Sequence, residues 1–241
     1  MKNQLPEVTE EKLPPLTVNE MWGETMRFFN FEKGIPFTFV SLMKYPLETV
    51  MIYLRSNRRT FFNPLNYILI AVAIYTAIVS IHAGFNRFMQ NANAQNEKVY
   101  SKIEKDLDVT IYEHYAKSQE LMLSYQNIFY LIILPVIGFV THLLFSGKFN
   151  YAEHLAINAY VFGTSTWIGV ILTMATFYIE DFVVIFVLIP FISAAVLTYL
   201  YKKIFESSWL MGIAATLIIY FIIMFLTLVF QLALTLLFMF T

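Results

Sequence analysis

The sequence contains no cysteine. This absence excludes disulfide bonds, thiolate zinc sites, iron–sulfur clusters and cysteine nucleophiles together. Common catalytic motifs are missing as well: the chain has no P-loop, no G-x-S-x-G or H-E-x-x-H motif and no dinucleotide fingerprint. We therefore expect a protein that is not an enzyme and that carries no metal and no cofactor.

Charge is also scarce. Only 14% of the residues are charged and the formal net charge is -1, so no global electrostatic field attracts nucleic acid. Hydrophobic residues make up 58% of the chain, and the mean hydropathy is +0.61. A soluble domain is about half apolar and about a quarter charged. Because the apolar residues are concentrated in long runs, the composition is typical of an integral membrane protein.

The apolar runs predict an all-α membrane protein with five transmembrane helices in a domain covering residues 63–241. The predicted spans are about 66–83, 128–145, 155–178, 182–201 and 209–236, with a helical insert outside the membrane at 85–124. Residues 209–241 carry no charge and as one helix are roughly 50 Å long, which exceeds a hydrocarbon core of roughly 30 Å. The apolar end of this helix therefore needs a protein partner or a lipid interface.

The N-terminal region is predicted to lie outside the hydrocarbon core. Residues 1–17 are polar and aperiodic, as in a flexible tail. Residues 18–62 mix apolar and charged side chains, which predicts amphipathic helices in the membrane interface. Pro46 is expected to begin a new helix there, because proline suits the first turn. The alternative is a set of soluble helices packed on each other.

The orientation follows from the lysines and arginines near the span ends. They collect on one side of the predicted membrane: Arg55, Arg58, Arg59, Lys148, Lys202 and Lys203. The other side has Arg87 and the acidic pair Glu180 and Asp181. This asymmetry predicts a cytoplasmic N-terminus, an extracytoplasmic C-terminus and an extracytoplasmic insert.

Two predicted spans contain proline, Pro135 and Pro190, and each is followed by a tight basic turn and a further apolar span. This pattern suggests that spans two and three and spans four and five are parallel repeats. Repeats are common in transporters and also occur in passive bundles.

Three ionisable side chains fall around the turn between the second and third spans. His142 lies late in the second span, and Glu153 and His154 begin the third. Ionisable groups at membrane depth are costly. Because the turn between the two spans is short, these side chains are expected to converge. Two imidazoles and a carboxylate bind a transition metal or relay protons. The alternative is a capping and hydrogen-bonding cluster that fixes the turn, with Glu153 near a helix N-terminus.

Two further groups of residues are candidates for binding. Small and polar side chains recur along the third span and suit either helix packing or a solute path: Asn158, Ser165, Gly169, Thr173 and Thr176. Basic residues before the first span are candidates for contact with anionic lipid headgroups, each contributing roughly 1 kcal/mol near an acidic surface: Lys33, Lys44, Arg55, Arg58 and Arg59. The alternative for the second group is that it only sets the orientation.

Two segments resemble the signatures of an uncharacterised bacterial integral-membrane family. The first contains Tyr45-Pro46-Leu47-Glu48, Tyr53-Leu54-Arg55, Asn57-Arg58-Arg59 and Phe62-Asn63-Pro64, and the second is Asn150-Tyr151-Ala152-Glu153-His154-Leu155. The resemblance implies a protein of the bacterial cytoplasmic (inner) membrane and supplies no activity. This chain departs from the family in lacking the cysteines of the zinc ribbon found in longer members, and in having Ser56-Asn57 where a glycine is usual. In topology alone, the chain is also similar to the five-span Yip family.

Three functional hypotheses follow. The first is a non-enzymatic accessory, scaffold or lipid-organising subunit of a membrane complex, with membrane lipids and a protein partner or second copy as its partners. The second is a transporter or channel for a small solute, based on the repeat pattern and the polar face of the third span. The third is an intramembrane metal-dependent enzyme at His142, Glu153 and His154.

Overall fold

A computed structural model of the chain describes residues 34–82, 90–91, 93–102, 112–124, 126–178 and 182–240. Over these residues the protein is all-helical and has no strand. The predicted tail 1–17, the first part of the predicted 18–62 region including Lys33, and much of the 85–124 insert lie outside the described residues.

Eight helices are numbered here in chain order. They are α1 (Ile35–Lys44), α2 (Pro46–Met51, continued by a π-helical turn Ile52–Ser56), α3 (Pro64–Ile81), α4 (Tyr112–Ser124), α5 (Gln126–Leu144), α6 (Tyr151–Ala175, followed by a 3₁₀ turn Thr176–Tyr178), α7 (Phe182–Ile204) and α8 (Trp209–Met239). Residues 93–102 are also helical.

The helix starts follow local sequence signals. Pro46 occupies the first turn of α2, which confirms that it begins a new helix. The side chain of Asn63 caps α3 by accepting hydrogen bonds from the backbone N–H groups of Leu65 and Asn66. Ser208 caps α8 in the same way through Met211 N–H. The predicted starts of the first and fifth spans, residues 66 and 209, therefore lie within three residues of a capping side chain.

Four helical stretches among the described residues are long and apolar enough to cross a membrane: Pro64–Ile81, Tyr151–Ala175, Val187–Ile204 and Trp209–Met239. They correspond to the first, third, fourth and fifth predicted spans. The second predicted span, 128–145, coincides with helix α5, whose described apolar stretch, Ile132–Leu144, is shorter than the other four. The described structure thus supports four candidate spans, and a count of five goes beyond it.

Helix α6 lies at the centre of the bundle. It packs against α3, α5 and α7, and 61% of its most apolar stretch is buried, against 17% for α8. Gly163 makes the α3–α6 contact close, because a Cβ there would lie only 2.5 Å from a ring carbon of Tyr67. Small residues allow such close helix approach where lipid offers no hydrophobic driving force.

The N-terminal helices dock on this bundle. Thr38 of α1 is fully buried and its hydroxyl accepts a hydrogen bond from the Phe62 N–H at 3.0 Å. The hydroxyl of Tyr199, on α7, donates to the Met43 carbonyl at 2.9 Å. Tyr160, on α6, donates to the Phe62 carbonyl at 2.7 Å. Helices α1 and α2 are therefore attached to the ends of the longer helices and do not form a separate unit.

Helix α4 packs against the end of α8. Gln231 Nε2 donates to Ser118 Oγ at 2.5 Å, and the hydroxyls of Ser118 and Thr235 are 2.9 Å apart. Helix α4 of the same chain therefore covers part of the surface near the end of the long helix α8. Its final turn still exposes apolar surface, since Leu237 is 57% exposed and Phe240, which follows the helix, is 87% exposed.

The turns α5–α6 and α7–α8 lie side by side. Each contains one residue with a left-handed backbone, Gly147 (φ 101°) and Glu206 (φ 49°). The rings of Phe145 and Phe205 stack between the turns, with centroids 4.1 Å apart and planes 2° apart. Lys148 joins the turns by donating to the Phe205 carbonyl at 3.1 Å and to Glu206 at 2.6 Å. One lysine and one pair of stacked rings therefore hold the two turns together, and the parallel repeat stays a prediction.

Candidate functional site

Most of the candidate residues lie at one end of the bundle, which we call the basic end and define by Arg55, Arg58, Arg59, Lys148, Lys202 and Lys203. These are the residues that the positive-inside rule placed on one side. Helices α1 and α2, the start of α6 and the end of α7 meet there.

Glu153 lies at the third position of α6 and forms two kinds of contact. Its carboxylate pairs with Arg55 through two parallel bonds, Nη1–Oε1 at 2.5 Å and Nη2–Oε2 at 3.1 Å. It also accepts the Asn150 backbone N–H at 2.9 Å, while the Asn150 side chain accepts the Glu153 N–H at 3.0 Å. This is a capping box closed by a two-pronged arginine, and it fixes the helix start to the π-helical turn after α2.

The next residue, His154, belongs to a buried hydrogen-bond network. Its Nδ1 lies 3.1 Å from Thr141 Oγ1, and Asn158 Nδ2 donates to the same hydroxyl at 2.7 Å. Tyr201 donates to Asn158 Oδ1 at 2.7 Å. Because these residues lie on α5, α6 and α7, the network ties three helices together.

His154 shares the Thr141 hydroxyl with a backbone carbonyl. Thr141 Oγ1 lies 3.1 Å from the Gly138 carbonyl and 3.1 Å from His154 Nδ1, so its single proton serves either acceptor, depending on the histidine tautomer. His154 Nε2 is buried without a hydrogen-bond partner among the described residues. The ring stacks on Phe205, with centroids 5.2 Å apart and planes 15° apart.

The structure brings the three predicted ionisable residues together only in part. The rings of His142 and His154 meet edge to face with centroids 5.2 Å apart. Glu153, in contrast, is held by Arg55 and the helix cap. Within the described ranges, no three histidine, cysteine, aspartate or glutamate side chains form a group that suits a metal ion. The geometry favours the capping and hydrogen-bonding interpretation over a metal centre.

The predicted polar face of the third span is buried in the bundle, including Asn158, Ser165, Gly169, Thr173 and Thr176. Ser165 forms a hydrogen bond with Ser193 of α7. Thr176 lies 2.7 Å from His82 Nε2. Gly169 lies against the Tyr75 ring, where an added Cβ would come within 3.4 Å. These contacts favour helix packing over a path-lining role.

His82 is a residue whose burial the sequence did not indicate. It ends α3, where hydropathy alone suggests an interfacial position. Only 4% of its surface is exposed. Its ring lies 4.6 Å from the ring of Phe177. The signal for this burial is non-local, because the partners Thr176 and Phe177 are more than 90 residues away in the sequence.

The basic candidates differ in their surroundings. Lys44, Arg58 and Arg59 are exposed, whereas Arg55 is half-exposed and paired with Glu153. Burial raises the pKa of the Tyr53 hydroxyl, and the positive charge of Arg58 partly lowers it again. The cluster predicted as one lipid-contact surface is therefore divided into a structural residue, Arg55, and exposed cations.

Two cavities open near the basic end. A polar cleft of about 410 Å³ is lined by Lys44, Pro46, Leu47, Glu48, Lys202, Lys203, Glu206 and Ser207. An apolar groove of about 400 Å³ is lined by Tyr53, Asn63, Pro64, Leu65, Leu134, Pro135, Ala152, Leu155 and Ala156. The sequence assigned Lys202 and Lys203 only to membrane orientation, and their place in a cleft with Lys44 is new.

Over the described residues, these features define an all-helical protein with four helices able to cross a membrane and, at the basic end, a hydrogen-bonded junction formed by Thr141, His154, Asn158 and Tyr201. No family model, no curated protein and no solved structure matches the chain significantly. The resemblance to a bacterial membrane family therefore stays a prediction that rests on its two signatures.

Proposed function

We propose that the chain is a bacterial inner-membrane protein with five spans, a cytoplasmic N-terminus and an extracytoplasmic C-terminus. The four apolar helices and the continuous helix α5 support this topology. The basic end supports the orientation, because lysine and arginine are retained on the cytoplasmic side. Exposed apolar side chains beside Lys44, such as Val40 (45% exposed) and Tyr45 (62%), support an interfacial position for α1 and α2.

We infer that the protein acts by binding, as a non-enzymatic accessory, scaffold or lipid-organising subunit of a membrane complex. One observation carries this inference: the polar side chains of α6 bond to the neighbouring helices, while α8 turns most of its apolar surface outward. Leu210, Leu217, Phe221 and Met224 are all more than 60% exposed. A helix of this kind faces lipid, a partner helix or a second copy of the chain.

The test is purification of the full chain from native membranes in a mild detergent, followed by quantification of protein and phospholipid in the purified peak. The expected result is a stoichiometric protein partner, a homo-oligomer or retained phospholipid. A lipid-free monomer without any partner would contradict the proposal. An α8 variant with Leu217→Ser and Phe221→Ser is expected to lose the partner. The matched control, Asn66→Ala on the exposed surface of α3, is expected to keep it.

A transporter or channel for a small solute is the alternative. Its support is the pair of proline-containing helices α5 and α7 on either side of α6, with Pro135 and Pro190 inside them. A pair of proline-containing apolar segments at corresponding positions of two halves is a sequence pointer to a transport site. Flux of small solutes into proteoliposomes tests it: uptake that Ser165→Leu abolishes favours transport, and uptake equal to that of empty vesicles favours the binding role.

A further inference from the structure

The polar cleft at the basic end gathers three lysines from two distant segments. Lys44 lies in the last turn of α1, and Lys202 and Lys203 lie in the last turn of α7. The start of α2, with Pro46, Leu47 and Glu48, forms another wall. Cations suit helix C-termini, but that preference does not require two helix ends to present their lysines to one cavity.

The charges in the cleft are unevenly compensated. Glu206 is already paired with Lys148 at 2.6 Å. None of the ion pairs formed by the described residues involves Lys44, Lys202 or Lys203. Glu48 is the remaining acid in the lining. The cleft therefore keeps a net positive charge that complements one phosphodiester.

The cleft also lies beside an apolar surface. The Lys202 ammonium lies 4.8 Å from the centre of the Trp209 ring, at the first residue of α8. Trp209 is 56% exposed and Leu210 is 78% exposed. Tryptophan is enriched at the boundary between headgroups and acyl chains, so a headgroup in the cleft leaves its acyl chains along the first turns of α8.

We propose that this cleft binds the headgroup of an anionic phospholipid, with the phosphodiester between Lys44 and the Lys202–Lys203 pair and the acyl chains against Trp209 and Leu210. The proposal rests on the proposed membrane function and identifies a lipid and a site for it. It differs from the sequence-based candidate surface, because Lys202 and Lys203 replace Arg55 and its neighbours as the main contacts.

The experiment measures binding of soluble dihexanoylphosphatidylglycerol to the purified full chain in a neutral detergent, with dihexanoylphosphatidylcholine and inorganic phosphate as comparison ligands. Saturable binding of the phosphatidylglycerol is expected, and added salt is expected to weaken it. The phosphatidylcholine and inorganic phosphate are expected to bind much more weakly. Equal binding of phosphate, or displacement of the lipid by phosphate at similar concentration, would identify an anion site and overturn the lipid assignment.

Matched variants locate the site. Lys44→Gln and Lys203→Gln are each expected to weaken lipid binding about fivefold, and the double variant about 25-fold. Arg58→Gln with Arg59→Gln removes exposed charge from the same end outside the cleft and is expected to leave affinity within about twofold. Glu48→Gln removes the opposing acid and is expected to strengthen binding, which keeps the proposal testable if a lysine variant folds poorly.

Equal losses in the cleft variant and the Arg58/Arg59 variant would overturn the cleft assignment, since they would mean a diffuse surface effect. The two proposals fail separately. If the protein retains a partner or lipid on native purification but its lipid affinity does not depend on the lysines, only the assignment of the lipid site to the cleft is contradicted. If the purified protein is a monomer without partner or lipid but still binds the short-chain lipid in the cleft, only the accessory role is contradicted.

Discussion

Arg55 and Glu153 are 98 positions apart in the sequence and form a bidentate ion pair, with the closer nitrogen–oxygen distance at 2.5 Å. The carboxylate is only 11% exposed, while the guanidinium is 52% exposed. The pair therefore joins the turn after α2 to the start of α6. Because Glu153 is also the third residue of a capping box, one side chain serves both the helix start and the contact between segments.

Glu153→Gln is expected to lower the free energy of unfolding by about 1–3 kcal/mol, since it removes the ion pair and weakens the cap. Arg55→Gln is expected to cost less, because Glu153 keeps its bonds within the capping box. A double-mutant cycle measured by thermal unfolding in detergent should give a coupling energy above about 0.5 kcal/mol. Strictly additive effects would show that the two residues do not stabilise each other.

Asn158→Ala is expected to destabilise the protein by about 2 kcal/mol. It leaves the Tyr201 hydroxyl without its acceptor and removes the hydrogen bond from the Asn158 side-chain amide to Thr141. The measurement is the midpoint of thermal or denaturant unfolding. Asn66→Ala is the matched control: this asparagine is exposed on α3, and its replacement is expected to change stability by no more than about 0.5 kcal/mol. Equal effects at both positions would argue against the network.

Much of the fold could be predicted because its signals are local. Hydropathy located the long helices, and Pro46 and Asn150 mark helix starts that depend on a few adjacent residues. Glu153 as a capping residue belongs to the same group. The partner of Glu153 could not be predicted, because it depends on how α2 lies across α6 and no periodicity records that crossing.

The hydrogen-bond partners of the polar side chains on α6 could not be predicted either. The helical spacing of Asn158 and Ser165 placed them on one face of α6, but their partners Tyr201 and Ser193 depend on the rotation of α7. The burial of His82 likewise depends on where α3 ends relative to α6. Helix rotation and offset are set by side-chain interdigitation over the whole interface, so a pattern within one helix does not determine them.

Gly163→Ala is expected to destabilise the α3–α6 contact by about 1–3 kcal/mol, because the added Cβ meets the Tyr67 ring at 2.5 Å and the Ile68 backbone at 3.3 Å. Gly169→Ala, two turns further along α6, meets only the Tyr75 ring at 3.4 Å and is expected to be tolerated. Comparison of the two unfolding midpoints tests the packing. A larger loss at Gly169 than at Gly163 would contradict it.

The docking of α4 on α8 can be tested by cross-linking, since the chain has no cysteine of its own. Ser118 and Thr235 have their hydroxyls 2.9 Å apart, so Ser118→Cys with Thr235→Cys is expected to form an intramolecular disulfide under mild oxidation. Ser118→Cys with Thr227→Cys places the second thiol about two turns, or roughly 12 Å, along α8. This control pair is expected to stay reduced, and equal cross-linking of both pairs would show that α4 is not fixed on α8.

The five-span topology predicts opposite labelling at the two ends of α5. Ser146 lies in the exposed turn after α5, and Glu120 is exposed on α4 before it. If α5 crosses the membrane, Glu120→Cys is labelled in intact cells by a membrane-impermeant maleimide, whereas Ser146→Cys is labelled only after the membrane is opened. Ser207→Cys, in the turn between α7 and α8, should behave as Ser146→Cys does, because the stacked rings of Phe145 and Phe205 hold these two turns together. Labelling of Glu120→Cys and Ser146→Cys from the same side would remove α5 as a span and leave the four candidate helices.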